Sequence, residues 1–146
     1  MATPYTKIYE RALFRLSDTK LARLNDADRQ YVLRRHMQAA ISDFQSKCLV
    51  DLSMVDDESC EFLVDLDNEV QEILALGISY YWLSAQILNN ELLKNKLSTK
   101  DYQYFSPANL LRESTALRED VRKEYQRRIV QYTYDHGDLA MKGTAT

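Results

Sequence analysis

Between Glu72 and Glu91 the chain carries no charged residue, and the apolar centre of this stretch, Ile73–Leu88 (ILALGISYYWLSAQIL), decides what the rest can fold into. It holds the only tryptophan, Trp82, beside Tyr80, Tyr81 and one of three glycines, Gly77. Val70, Ile73, Leu74, Gly77, Tyr81, Leu88 and Leu92 follow the three-to-four spacing of a helix face. Leu76, Ile78, Leu83 and Ile87 cover the other sides. A helix that is apolar nearly all round belongs inside a protein core or a membrane. The membrane reading fails because sixteen residues, broken by Ser79, Ser84 and Gln86, fall short of the roughly 20 that a span needs. The spacing therefore predicts a buried central helix with Leu74, Gly77, Tyr81 and Trp82 as its keystone positions. Asp67 or Asn68 caps its start, and Lys94 and Lys96 suit its negative C-terminal end. At 1.5 Å per residue such a helix is roughly 40–45 Å long and needs neighbours along its length.

A chain of 146 residues is long enough for one domain with a real core. Only three glycines and two prolines leave few turns, which favours helices. The net charge of −3 forecasts no nucleic-acid partner on its own. That charge is nonetheless segregated. Met1–Val50 carries nine Lys or Arg against five acids, and Asp51–Glu72 carries nine acids and no base. Segregation of this kind can register subunits through complementary potentials; a solvated acidic loop is the plainer reading. The start of the chain carries no basic-plus-apolar secretory signal, so reduced, half-buried thiols are expected at Cys48 and Cys60 rather than a short-loop disulfide.

Taken in order, Tyr5, Ile8, Ala12, Leu13 and Leu16 mark a short first helix with Pro4 near its first turn. Lys20–Leu24 is ambiguous. Asn25 or Asp26 caps a second helix, whose apolar face is Leu33, Met37, Ala40, Ile41, Phe44 and Cys48. Arg29, Arg34 and Arg35 lie off that stripe, facing solvent or an interface. Residues 48–67 form an irregular acidic elbow in which two weakly similar segments, Cys48–Ser53 and Leu63–Asp67, have an extended look but do not amount to a sheet. Ser106 as N-cap and Pro107 at the first helical position open the last helix. Its stripe is Leu110, Leu117, Val121, Tyr125 and Tyr132, and Gly137 is its natural stop. The expected fold is all-α: an elongated helical bundle whose long buried central helix runs antiparallel to a long amphipathic C-terminal helix. Residues 1–137 form a single domain and 138–146 a tail acting as an assembly arm.

No catalytic or metal-binding spacing is present, so neither an enzyme nor a cofactor is expected. His36 and His136 are a hundred positions apart, and no paired metal-ligand motif exists. Asp56–Asp57–Glu58 lacks the glycine and ligand order of a calcium loop. A Cys–His pair from Cys48 or Cys60 with His36 yields to a buried structural thiol, since Cys48 sits on the apolar stripe. The basic residues Arg118, Arg122, Lys123, Arg127 and Arg128 are interleaved with acids, as on a solvated helix face. Tyrosine is what the chain has in excess, with ten copies, and Tyr9, Tyr102, Tyr104 and Tyr134 lie outside the strongest stripes. Tyrosine is enriched at protein–protein interfaces; it can equally finish the rim of a thin core.

The stretches YYWLSAQILNNELLKNKLSTKDY (Tyr80–Tyr102), YFSPANLLRE (Tyr104–Glu113) and YTYDHGDL (Tyr132–Leu139), following the acidic elbow, carry a family resemblance. Across roughly Phe44–Leu139 the chain resembles the small helical head–tail connector proteins of tailed bacteriophages, also called adaptor or head-completion proteins. Trp82–Leu83–Ser84 and Phe105–Leu111 contribute most of it. The resemblance implies a structural protein of the virion neck, made in the host cytoplasm. It would form a ring, usually of twelve copies, that joins the capsid portal to the tail or a downstream neck protein. Such a ring extends the channel for passing DNA without reading its sequence, and it has no membrane partner. Contacts with neighbours or the portal would fall to Tyr132, Tyr134, Leu139 and Met141, with Arg29, Arg34 and Arg35 meeting a neighbour's acidic elbow. The alternative is an intracellular helical module that binds one protein partner.

Overall fold

The computed structural model describes residues 2–16, 21, 23–96 and 108–144. Among them are four α-helices: α1 (Tyr5–Leu16), α2 (Asp26–Phe44), α3 (Asn68–Lys96) and α4 (Ala108–Thr144). A 3-10 turn at Gln45–Lys47 follows α2. The chain is mostly helical, as expected, and three two-residue strands add a small sheet that was not expected. They are β1 (Thr3–Pro4), β2 (Val55–Asp56) and β3 (Glu61–Phe62), in the order β1-β3-β2, with antiparallel pairing throughout. The extended segments thus lie between the two proposed from sequence, and the third partner is the N-terminus. Pro4 sits in β1 rather than in the helix. Thr3 ties the layer together. Its buried hydroxyl donates to Val64 O at 3.0 Å and accepts from Leu66 N at 2.9 Å. A buried hydroxyl satisfied on both sides avoids the roughly 1–3 kcal/mol penalty of an unpaired polar group.

The helix starts follow their caps. Asn25 Oδ1 accepts from Asp28 N at 2.8 Å, and Asp67 Oδ1 accepts from Val70 N at 2.9 Å, each satisfying one orphan donor of a first turn. Between them, the Gln45 side chain shapes the entry to the elbow, accepting from Leu52 N and donating to Val50 O. Ser106 and Pro107 lie outside the described residues, as do Tyr102 and Tyr104.

Every position of α3 from Ile73 to Ser79 is buried, because α1, α2 and α4 all pack on this helix. Leu74 is at the centre of a continuous core with Ile8, Leu33, Met37, Phe44, Leu52, Phe62 and Leu66. Gly77 is the point of closest approach. A Cβ built there would lie 2.4 Å from Ala40 Cβ on α2 and 3.0 Å from the Tyr125 hydroxyl on α4. Trp82 is buried as well, but outside that continuous core, with His36 of α2 edge-on at 6.3 Å.

The predicted stop at Gly137 is not there, since α4 continues through it to Thr144. A helical glycine costs only about 1 kcal/mol relative to alanine, and extending an existing helix is easier than nucleating one. Residues 138–144 are therefore part of the helix rather than an irregular tail.

Candidate functional site

Among the described residues, three clusters of polar side chains stand out where the elements meet. On the α1 side, Glu72 receives Arg11 at 3.0 Å and a close contact from Arg15, while Arg15 also reaches Glu124 of α4 at 3.6 Å. Burial works to raise the Glu72 carboxyl, but the hydrogen bonds and charges of the two arginines outweigh it and hold the group below the ordinary glutamate range. These residues line an open groove of about 1020 Å3 between α1, α3 and α4, with Phe14, Leu117 and Val121 as apolar lining. Arg11, Arg15, Glu72 and Glu124 of this lining are already paired with one another.

The second cluster is Asp43, which accepts from the hydroxyls of Tyr81 and Tyr125. Burial, reinforced by the Asp43 charge and hydrogen bond, pushes both phenols well above their ordinary range. The third is Tyr132. Its ring packs edge-on against Phe44 at 5.0 Å, and its hydroxyl accepts from Leu49 N at 3.2 Å and lies 3.8 Å from Cys48 Sγ. Cys48 and Cys60 are both half-buried and unbonded to each other. Burial pushes the Cys48 thiol up, the wrong direction for a nucleophile. His36 lies against Trp82, with burial and then Arg35 lowering its affinity for a proton. Among the described residues no group of three metal-ligating side chains is found, and no helix is long and apolar enough to cross a membrane.

The interface residues expected from sequence separate into two kinds. Tyr132 is 2 % exposed and belongs to its own core, which removes it from the set proposed to insert into a neighbour. Tyr9, counted as surplus, is buried too. Arg29 donates to Leu21 O and Leu24 O and pairs with Asp26, tying the segment before α2 to the helix. Arg34 pairs with Asp57 within the chain and sits over the Tyr5 ring. The elbow is therefore partly neutralised by its own subunit. Arg35 remains exposed, its guanidinium 5.9 Å from the centre of the exposed Tyr31 ring. Tyr134 is 82 % exposed. Positions 139 and 141 lie in the last turns of α4.

Sequence reasoning missed the outer face of the β2–β3 hairpin. Met54 and Leu63 are joined by a backbone bond, Leu63 N to Met54 O at 2.9 Å, and both are about half exposed. The pairing Val55↔Phe62 and the alternation of strand side chains put Met54, Asp56, Glu61 and Leu63 on one face and buried Phe62 on the other. The signal was present in Glu61-Phe62-Leu63-Val64-Asp65, but without knowing the partner strand its two faces could not be told apart.

Compared with protein-family models, curated proteins and solved structures, the chain matches none.

One consequence of the buried phenols can be measured directly. Burial raises Tyr5 and Tyr132 to about 12, and Tyr9, Tyr81 and Tyr125 are raised as well. An unfolded tyrosine ionises near 10. Above that pH the unfolded chain binds fewer protons than the folded one, so stability falls as pH rises from about 10 towards 12. Phenolate absorbance should show these five tyrosines ionising together with unfolding. Independent titration of these five near 10, with the fold intact, would contradict the buried placements.

Proposed function

We propose that the protein is a structural component of a phage virion, a connector that assembles as a ring between the capsid portal and the tail and continues the DNA channel. The sequence resemblance over Phe44–Leu139 suggests the role. In this reading the subunit is an elongated bundle, with α3 antiparallel to α4, and its neck location puts the portal at one end and tail proteins at the other.

The observation that carries the reading is the overhang of α4. His136 lies 3.6 Å from Glu69, in the first turn of α3. Residues 137–144 therefore continue about 12 Å past the start of α3. A helix that runs on past the start of its neighbour is suited to meeting another protein, and helix-in-groove docking is a common form of such contact.

The test is electron microscopy of the full chain mixed with the portal, alongside a chain ending at Gly137. The full chain should form rings seated on the portal. The shortened chain should keep its helical content up to Gly137 and its melting temperature, and lose docking. Normal docking without residues 138–146 would remove the overhang from the reading. A full chain that never associates with a portal would remove the reading itself.

A further inference from the structure

The β2–β3 hairpin presents an apolar pair inside an acidic frame. Met54 and Leu63 sit side by side; Glu61, in β3, precedes Leu63 by two residues, and exposed Asp65 follows it beyond a bend at Leu63 and Val64. Among the described residues neither the Glu61 nor the Asp65 carboxylate has a hydrogen-bonding or ion-pair partner. Of the other acids of the elbow, four are committed. Asp51 accepts from Ser53, Asp56 from the turn amides of Glu58 and Ser59, Asp57 from Tyr5 and Arg34, and Asp67 caps α3. An exposed methionine–leucine pair ringed by uncommitted carboxylates calls for a ligand that is flat, apolar and cationic.

The chain carries such a group. Of the three arginines on the outer side of α2, two are engaged within the subunit, Arg29 by loop carbonyls and Asp26 and Arg34 by Asp57. Arg35 has no carboxylate partner among the described residues and lies against Tyr31, one turn earlier on the same helix face. Both side chains are exposed. Tyrosine and arginine are, with tryptophan, enriched at the energetic centres of interfaces.

We propose that a second copy of this chain docks its Tyr31–Arg35 face onto the β2–β3 hairpin. The Tyr31 ring covers Met54 and Leu63, where sulfur–aromatic contact adds to burial, and the Arg35 fork pairs with the carboxylates of Glu61 and Asp65. The two surfaces are different patches, so each copy has one of each to offer and association is head-to-tail, the kind that generates rings when it closes. This contact rests on the reading that copies of the chain assemble, and it names the surfaces that would do so.

Charge reversal tests it on the full-length protein by sedimentation velocity at low and high salt, with circular dichroism and melting as controls on folding. The wild type should self-associate, and more weakly as salt rises. Arg35→Glu and the double variant Glu61→Lys/Asp65→Lys should each stay folded and weaken association on the order of 100-fold, as loss of a close interfacial charge pair does. An equimolar mixture of the two variants should associate again, because each supplies the partner the other lacks. Wild-type protein that stays monomeric at every concentration overturns the ring reading and this contact together. Wild type that assembles while Arg35→Glu assembles equally well overturns only this contact. Failure of the mixture to recover, with both variants folded, also overturns it.

Discussion

Replacing Gly77 by alanine is expected to destabilise the protein by roughly 2 kcal/mol, although the same change in an exposed helix would stabilise it. Alanine is the better helix former by about 1 kcal/mol, and Gly77 lies in the interior of a 29-residue helix. The gain is overridden because the added methyl would stand 2.4 Å from Ala40 Cβ, less than any real carbon–carbon contact. The obstacle is the Cβ of α2, an atom fixed to the backbone, so relief requires the two helices to move apart. Overpacking of this kind typically costs about 1–3 kcal/mol and can exceed that. Moving α2 would also strain the hydrogen bond from Tyr125 to Asp43, a few ångströms away. The double variant Ala40→Gly/Gly77→Ala tests the mechanism, since it removes one methyl where it adds another. Denaturant titration should show the double variant recovering more than half of the loss, with a clear coupling term in the cycle. If Gly77→Ala is neutral or stabilising, α2 and α3 do not cross at this point.

The features legible in the sequence were those that depend on near neighbours in the chain. The period of apolar residues fixed α3, and the short polar side chains Asn25 and Asp67 marked the starts of α2 and α3 because a cap acts within three residues. What could not be read depended on contacts distant in the chain. Tyr132 stands on the predicted apolar stripe of α4 and is buried as that stripe implies, but it was also assigned to contacts with a neighbour or the portal; Phe44 and Leu49, more than eighty positions earlier, close over it instead. Arg34 was assigned to a neighbour's acids; Asp57 of its own chain reaches it first. The sheet was invisible for a related reason. Two-residue strands have no period, and β1 is recruited by β3 from almost sixty positions away. Gly137 misled in the opposite sense, because a stop signal is a bias of about 1 kcal/mol and a long preceding helix outweighs it.

Replacing Trp82 by alanine is expected to cost about 3 kcal/mol, the lower end of the usual range for deleting a large buried aromatic. The indole is 6 % exposed, so nearly all of its apolar surface is withdrawn from water. It lies outside the continuous core around Leu74, with half-buried His36 on one side, and such a site can relax or admit water more readily than the crossing at Gly77. Since typical stabilities are about 5–15 kcal/mol, the variant should remain folded. The loss should depend on pH. In the wild type, burial and then the Arg35 charge lower the His36 pKa below the ordinary histidine value. The unfolded chain therefore takes up a proton first as pH falls, and His36 costs stability progressively from about 6.5 downward. Removing the indole opens His36 to water and reduces that desolvation. Trp82→Ala should thus be most damaging near neutral pH and relatively less so below about 6, while the His36 pKa, followed by NMR, moves up towards its ordinary value. A loss under 1 kcal/mol at neutral pH would mean that the indole is not buried against α2. A full loss with an unmoved His36 would separate the tryptophan from the histidine and leave only the packing account.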